Sequence, residues 1–355
     1  MQKNSKEQSN KRLSLTITIS TIAGITAVLI WFFLLQNTTP IIFEEQKPNN
    51  TTKENPPTST PTPTLMPTPT PTSTPTPSST PLPTIKPPTE IPKENTIPTN
   101  QGTVRIGNNQ YIFDSTQVET LRPDIFNSGY FSVFDVLVQL QKQGDIDLQY
   151  HFDESMNTNI IDELDGETDW WYQIYYSGGW SERNVFRPDH YPWKDQTTLT
   201  FYKENPTRLS SIYKVWEEEV TRRNSNTQEV IIPQVTIRSK SFTLNFESVK
   251  VTPHNLRNDV FKENTITAID VILSLGEQGK ISYSLQYYES IGSASLVKSY
   301  WVEAINQDVA SGRAGFVYES GSTQFRFSSG NHIHLPSDTR VLNSPEYVEY
   351  FWIQL

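Results

Sequence analysis

Two stretches of the chain share one pattern of apolar and polar positions. Residues 121–155 align with residues 256–290 at a constant offset of 135, without a gap, and twelve of the thirty-five aligned positions are identical. Self-similarity at a fixed offset is the sequence signature of a duplicated structural unit. The pattern therefore predicts two copies of one fold within the chain.

Each copy contains one amphipathic helix, predicted at 132–143 and at 267–278. Apolar residues recur at the i, i+3, i+4 and i+7 positions that form one face of a helix. These residues are Val133, Val136, Leu137 and Leu140 in the first copy and Ala268, Val271, Ile272 and Leu275 in the second. Gly144 and Gly279 follow, at the position where a residue with positive φ commonly ends a helix.

A Ser/Thr-x-x-Asp phrase opens both helices. Asp135 stands three residues after Ser132, and Asp270 stands three residues after Thr267. In a capping box, the acidic side chain at this position accepts a hydrogen bond from the backbone N–H of the cap residue. A recurring aspartate could also be catalytic, but helix capping explains it with fewer assumptions, and we interpret both aspartates as caps.

Strand-like segments rich in β-branched and aromatic residues surround each helix. In the first copy they are 103–113, 146–152, 169–180 and 197–202. In the second copy they are 235–251, 281–289, 314–321 and 346–355. A strand pair, one helix across the sheet and further strands follow the order of a β-grasp-like α+β domain. The predicted fold class is α+β, with two tandem β-grasp-like domains.

The copies and the segment between them divide this part of the chain into three. Repeat one covers 101–205, a connector covers 206–232, and repeat two covers 233–355. Apolar residues of the connector recur at helical spacing: Leu209, Ile212, Tyr213, Trp216 and Val220. This spacing predicts a short connecting helix that packs on one of the domains.

Three short motifs of repeat one occur in the order found in a known family. Residues 133–135 with Leu137 match a helix phrase, Trp171 begins an aromatic hairpin that turns at 177–179, and residues 194–195 match a closing turn. These motifs resemble the transcobalamin-like C-terminal domain family. That family is similar to the ubiquitin-like β-grasp and is common in exported bacterial proteins.

The resemblance covers about 100 residues of repeat one and, more loosely, a similar stretch of repeat two. The family's Asn-Gly turn is Ser-Gly-Gly at 177–179 here, and its closing "kDGD" turn reads "KDQT" at 194–197. In vertebrate transcobalamins this domain caps a corrinoid held by a helical barrel. This sequence shows no such barrel, so the resemblance implies the fold and export but no corrinoid, and no cofactor is expected.

An apolar segment precedes the repeats. Residues 1–12 form a basic leader, and residues 13–35, from Leu13 to Leu35, form an uncharged run of 23 residues. A helix of this length crosses the hydrocarbon core of a membrane, and the basic leader keeps the N-terminus in the cytoplasm. A cleaved signal peptide is the alternative, but the apolar run is long and no Ala-x-Ala-like cut site follows.

Residues 36–100 are rich in Pro and Thr and carry too few apolar residues to form a core. Alternating prolines favour an extended polyproline II backbone, so this segment is predicted to be a disordered spacer that carries the repeats away from the membrane. The chain has no cysteine, so the exported domains depend on their cores and not on disulfides. Its net charge of −10 argues against nucleic acid as a partner.

The richest cluster of candidate binding residues is the aromatic segment at 169–180. In a strand, Trp171 and Tyr175 point to one side and Trp170 and Tyr172 to the other, and one helix cannot cover both faces. Trp171, Tyr175 and Trp180 are therefore the candidate ligand-binding residues. Alternatively, the second aromatic row packs against the other repeat or the connecting helix.

Other chemistry-bearing residues are weaker candidates. His332 and His334 have a spacing that suits a metal, but no Cys or nearby carboxylate completes a ligand set, so no metal is expected. His190 stands beside Asp189 in a turn, which rarely makes a catalytic pair, and the carboxylates from Glu217 to Glu219 are interpreted as a solvated charge run. Catalytic residues are therefore not predicted.

These features predict a single-pass membrane protein whose C-terminal domains lie outside the cell. Its predicted function is that of a surface-displayed, non-enzymatic binding module for a small molecule, a glycan or a protein. One alternative is a structural or adhesive protein of the cell envelope without a small ligand. A second alternative is an envelope hydrolase.

Overall fold

The two predicted copies have the same order of elements in the computed structural model of the chain. The structure describes residues 102–176, 185–290, 297–326 and 335–354, all of which belong to one compact unit that spans Pro77–Leu355. Within these residues the fold is mixed α+β, with three α-helices and several small sheets. The basic leader, the predicted anchor and the predicted spacer lie outside the described residues.

Repeat one consists of six strands and one helix. The elements are β1 (Thr103–Ile106), β2 (Asn109–Tyr111), α1 (Val133–Gln143), β3 (Leu148–Asp153), β4 (Thr158–Leu164), β5 (Trp170–Tyr176) and β6 (Thr197–Lys203). The connector forms helix α2 (Pro206–Ser225), which begins after Asn205, whose side chain accepts from the backbone N–H of Thr207. The predicted connecting helix is thus confirmed.

Repeat two follows the same plan with one additional short strand. Its elements are β7 (Val230–Arg238), β8 (Thr243–Val251), α3 (Asp270–Glu277), β9 (Tyr283–Tyr288), β10 (Ser299–Ile305), β11 (Asp308–Val309), β12 (Ala314–Gly321) and β13 (Tyr347–Gln354). The strands predicted from alternation are all present. The sequence does not predict β4 and β10, the second strands of the hairpins that follow α1 and α3.

Both main sheets have the same strand order. Repeat one has the order β2-β1-β6-β5, and repeat two has the order β8-β7-β13-β12. In each sheet the two central strands are parallel, with Val104 opposite Leu199 and Val235 opposite Val348. The hairpins β3-β4 and β9-β10 form separate small sheets. The topology therefore repeats together with the sequence.

Helix α1 begins with the predicted capping box. The Ser132 hydroxyl accepts from the backbone N–H of Asp135 at 3.2 Å, and the Asp135 carboxylate accepts from the backbone N–H of Ser132 at 2.7 Å. In repeat two, only the second half of this exchange is present: Asp270 accepts from the backbone N–H of Thr267 at 2.6 Å. The first turn there has i→i−3 bonds, so α3 begins at Asp270 and not at the predicted residue 267.

Both helices end on the same backbone bond. The N–H of Asp145 donates to the carbonyl of Leu140, and the N–H of Lys280 donates to the carbonyl of Leu275, each at 3.0 Å. Gly144 and Gly279 precede the donors and have φ of 81° and 66°, respectively. A glycine adopts this left-handed conformation without steric cost, as predicted from its position.

The two repeats meet at a contact with local two-fold symmetry. Phe126 forms an antiparallel bridge with Phe261, its own equivalent at the offset of 135, and their ring centroids are 5.6 Å apart. The N–H of Asn127 donates to Val260 at 2.9 Å, and the N–H of Lys262 donates to Ile125 at 2.8 Å. The repeats therefore associate through one segment and its copy, as subunits of a symmetric dimer do.

No helix among the described residues is long and apolar enough to cross a membrane.

Replacing either helix-start aspartate with alanine should lower the free energy of unfolding by about 1–3 kcal/mol, because buried donors lose their acceptor. Asp135 accepts from Ser132 and also from the backbone N–H of Leu121 at 2.8 Å. The matched control is Glu154→Ala, another acidic residue that recurs in the repeat but is exposed, and we expect a change within about 0.5 kcal/mol. Chemical denaturation of the full chain measures both, and equal effects would contradict the capping assignment.

Phe126→Ala and Phe261→Ala should each destabilise the chain by about 3–5 kcal/mol, because both rings are buried at the junction. The double variant should lose less than the sum of the two, since the rings contact each other. Chemical denaturation, monitored by fluorescence, measures the loss in free energy of unfolding for the two single variants and for the double variant. Strict additivity, or two separate unfolding transitions in the wild type, would show that the repeats do not stabilise each other.

Candidate functional site

The first three residues of β5 are buried aromatic residues. Trp170, Trp171, Tyr172 and Ile174 are each no more than 9% exposed. Tyr172 and Ile174 belong to the core of repeat one, and the Tyr172 hydroxyl donates to the carbonyl of Phe186 at 2.6 Å. Its equivalent Tyr318 makes the same bond to the carbonyl of Leu335, so this face of the strand is structural in both repeats.

Helix α2 covers the other face of β5. The Trp171 ring lies 5.8 Å from that of Trp216, which in turn lies 5.3 Å from Tyr213. Trp171 is 4% exposed, whereas Tyr175, further along the strand, is 44% exposed. The structure therefore separates the predicted site residues: Trp171 is covered by the connector, Tyr175 is accessible, and Trp180 lies outside the described residues.

A buried arginine of repeat one joins three segments. Arg122 donates from Nε and Nη2 to both oxygens of Asp124, at 2.9 Å and 2.7 Å, and from Nη1 to Asp189 at 3.1 Å. Nη1 also donates to the carbonyl of Asn157 in the β3-β4 turn. Burial lowers the pKa of Arg122, but the two carboxylates outweigh burial and raise it, so the guanidinium stays charged.

Arg257 makes the same bonds in repeat two. Its Nε and Nη2 donate to Asp259, and its Nη1 donates to Asp338 at 3.0 Å and to the carbonyl of Lys298. Burial raises the pKa of the Asp338 carboxyl, although Arg257 opposes that shift. Because a buried carboxylate and its arginine are expensive to separate, we interpret both clusters as structural.

Sequence interpretation missed these arginines as determinants of the fold. Arg122 and Arg257 recur at the offset of 135, each two residues before an aspartate, and this recurrence is the signal that could have identified them. Their distant partners, Asp189 and Asp338, lie outside the aligned repeat. Only the fold brings those carboxylates to the arginines.

His190 is buried beside the arginine of repeat one. Its Nε2 lies 2.6 Å from Nη1 of Arg122, and its Nδ1 lies 3.4 Å from the amide nitrogen of Asn343 in repeat two. Burial and the positive charge of Arg122 hold the pKa of His190 well below its ordinary value. The imidazole is buried and lies at the junction of the repeats.

The carboxylates of α2 differ from the sequence interpretation. Glu217 is exposed, as expected for a solvated charge run, but that interpretation is wrong for Glu219, which is 8% exposed. Glu219 accepts from Nη1 of Arg187 at 2.5 Å, and Arg187 also donates to the carbonyls of Met156 and Trp216. This pair fastens α2 to repeat one beside the junction of the repeats.

His332 and His334, whose spacing suits a metal, lie outside the described residues. In the part of the chain that the structure describes, no group of three or more His, Asp or Glu side chains is arranged to hold a metal ion.

Comparison with known proteins gives no relative. No family model, no curated protein and no solved structure matches the chain. The geometry of its own residues is therefore the basis for a functional proposal.

His254 gives repeat two a charged contact at the start of its helix. Its Nδ1 lies 3.0 Å from Asp270, and its Nε2 lies 3.1 Å from Glu277. Burial lowers the pKa of His254, but the two carboxylates outweigh burial and raise it above the ordinary value. The folded chain therefore binds this proton more tightly than the unfolded chain does.

Stability should consequently depend on pH through His254. The contribution of His254 to the free energy of unfolding is complete below the unfolded-state pKa of about 6.5. It is lost as the pH rises through the higher pKa of the folded state. His254→Gln should reduce the fall in melting temperature between about pH 5 and about pH 8. His151→Gln is the control, because His151 pairs with Asp162 at an exposed site. An unchanged pH response in His254→Gln would contradict the assignment.

Proposed function

We propose that the chain is a membrane-anchored, surface-displayed and non-enzymatic binding module. In this proposal each repeat is a β-grasp-like domain similar to the transcobalamin-like C-terminal domain family. The shared strand order, the parallel central strands and the single helix between the first and second hairpins support this assignment. The apolar run at 13–35 and the Pro/Thr-rich residues 36–100 support a tethered position outside the cell.

The observation that carries the proposal is the exposed Tyr175 on β5. In the described part of the chain, β5 lies at the edge of its sheet, with β6 as its neighbour. An edge strand offers backbone groups to an extended ligand, and an exposed aromatic ring offers a stacking surface. Tyr175 stands where both are present, on the same face of the strand as Trp171, which packs on Trp216 of α2.

The cavities favour a surface ligand over an enclosed one. The two cavities lined by described residues at α2 have room for a particle about the size of one water molecule, which is less than a small-molecule site needs. An extended chain, a glycan or a protein segment, that lies along β5 and stacks on Tyr175 therefore fits the surface better.

The test compares two aromatic residues of one strand. Tyr175→Ala should reduce binding at least tenfold while the melting temperature stays within about 2 °C of the wild type, since Tyr175 is 44% exposed. Trp171→Ala should instead destabilise the fold by about 3–5 kcal/mol, because Trp171 is packed on α2. The full chain is assayed against an array of cell-envelope glycans and a library of strand-length peptides.

Phe152→Ala is the matched control, because Phe152 is an aromatic residue of the same repeat with a similar exposure of 47%, on β3. It should bind as the wild type does. Wild-type binding by Tyr175→Ala, or no binding of any glycan or peptide by the wild type, would contradict the proposal and favour a structural role in the envelope.

A further inference from the structure

A small cavity lies where the two repeats and α2 meet. It is lined by Val185, Phe186 and Arg187 of repeat one, by Val215, Trp216 and Glu219 of α2, and by Ser320, Gly321 and residues 340–343 of repeat two. Repeat two contributes three buried polar side chains to the lining: Ser320, Asn343 and Arg340, which are 3%, 4% and 5% exposed. The cavity is therefore lined in part by buried polar side chains.

Both residues replace apolar residues of repeat one. The N–H of Ala268 donates to the carbonyl of Arg340, as the N–H of Val133 donates to that of Tyr191, so Arg340 is the equivalent of Tyr191. In the β12-β13 pair Ser320 lies opposite Val348, and in the equivalent β5-β6 pair Ile174 lies opposite Leu199. Ser320 is therefore the equivalent of Ile174. The two departures from the repeat are thus adjacent and lie in one cavity.

The Arg340 guanidinium is only partly bonded. Its Nη2 donates to the carbonyl of Ser320 at 3.4 Å, and its central carbon lies 4.0 Å above the ring of Phe186. Among the described residues, Nε and Nη1 of Arg340 and the hydroxyl of Ser320 have no hydrogen-bond partner. Three buried polar groups, two of them on a cation, therefore share one small space.

The charges around the cavity do not balance. Arg187 and Glu219 form an ion pair at 2.5 Å and neutralise each other. Arg340 forms no ion pair with any residue in the described ranges, so the described lining of the cavity carries an excess of one positive charge. A buried charge is expensive unless a counter-charge accompanies it, and contact with an aromatic ring compensates only part of that cost.

We propose that this cavity binds a small monovalent anion, with chloride as the probe of that class. An anion of this kind accepts hydrogen bonds from Nε and Nη1 of Arg340 and from the hydroxyl of Ser320, and it balances the excess charge. The cavity has room for a particle about the size of one water molecule, which excludes larger organic anions. The anion site is independent of the proposed ligand site at Tyr175.

The experiment measures melting of the full chain in sodium chloride and in sodium gluconate at equal ionic strength. Gluconate is too large for the cavity, so it serves as the reference for general screening by salt. Chloride should raise the melting temperature in a saturable manner, because a ligand that binds only the folded state stabilises it. Arg340→Gln should abolish the difference in melting temperature between the two salts. Ser320→Ala should keep the response to chloride but shift the midpoint of that response to a higher chloride concentration.

Arg238→Gln is the control, because this arginine of repeat two is 60% exposed and should keep the wild-type response to chloride. Bromide in crystals of the wild-type chain provides a second readout that needs no variant: an anomalous peak is expected beside Arg340. Equal melting of the wild type in both salts, or crystals without this peak, would overturn the proposal and indicate a bound water. A response that Arg340→Gln retains would overturn it as well.

Discussion

A buried arginine in each repeat holds together segments that are far apart in the sequence. Arg122 joins the loop before α1 to the β3-β4 turn and to Asp189 before β6, and Arg257 does the same in repeat two with Asp338. The loop that each arginine fixes also carries the phenylalanine of the junction. The shape of each repeat and the contact between the repeats therefore depend on the same ion cluster.

The copies share their backbone plan and several side-chain bonds, and they differ at a few buried positions. The helix ends, the parallel central strands and the bond from Tyr172 to Phe186 are reproduced in repeat two. Trp171, by contrast, occupies the place of Val317, and its extra volume is covered by α2. The duplicated sequence thus accounts for the shared backbone. The substituted positions give repeat one a face that packs on α2, and they give repeat two the buried arginine that lines the cavity.

The elements could be predicted from the sequence because their determinants are local. Period, cap and alternation are set within about ten residues, and they predicted α1, most of the strands and the role of Asp135, whereas β7 begins at Val230, five residues before the predicted 235. The start of α3 was placed three residues too early, since a first turn with i→i−3 bonds has no local signature. Glu219 was misjudged because its partner, Arg187, comes from another element.

The structure indicates that the two repeats fold as one body about the contact between Phe126 and Phe261. Hydrogen exchange of the full chain tests it directly, because the backbone amides of Asn127 and Lys262 are the donors that cross between the repeats. We predict that these two amides are protected as strongly as those of Val133 and Ala268, which bond within a repeat, and that all four exchange in one global opening. Fast exchange of Asn127 and Lys262 while Val133 and Ala268 stay protected would contradict the account.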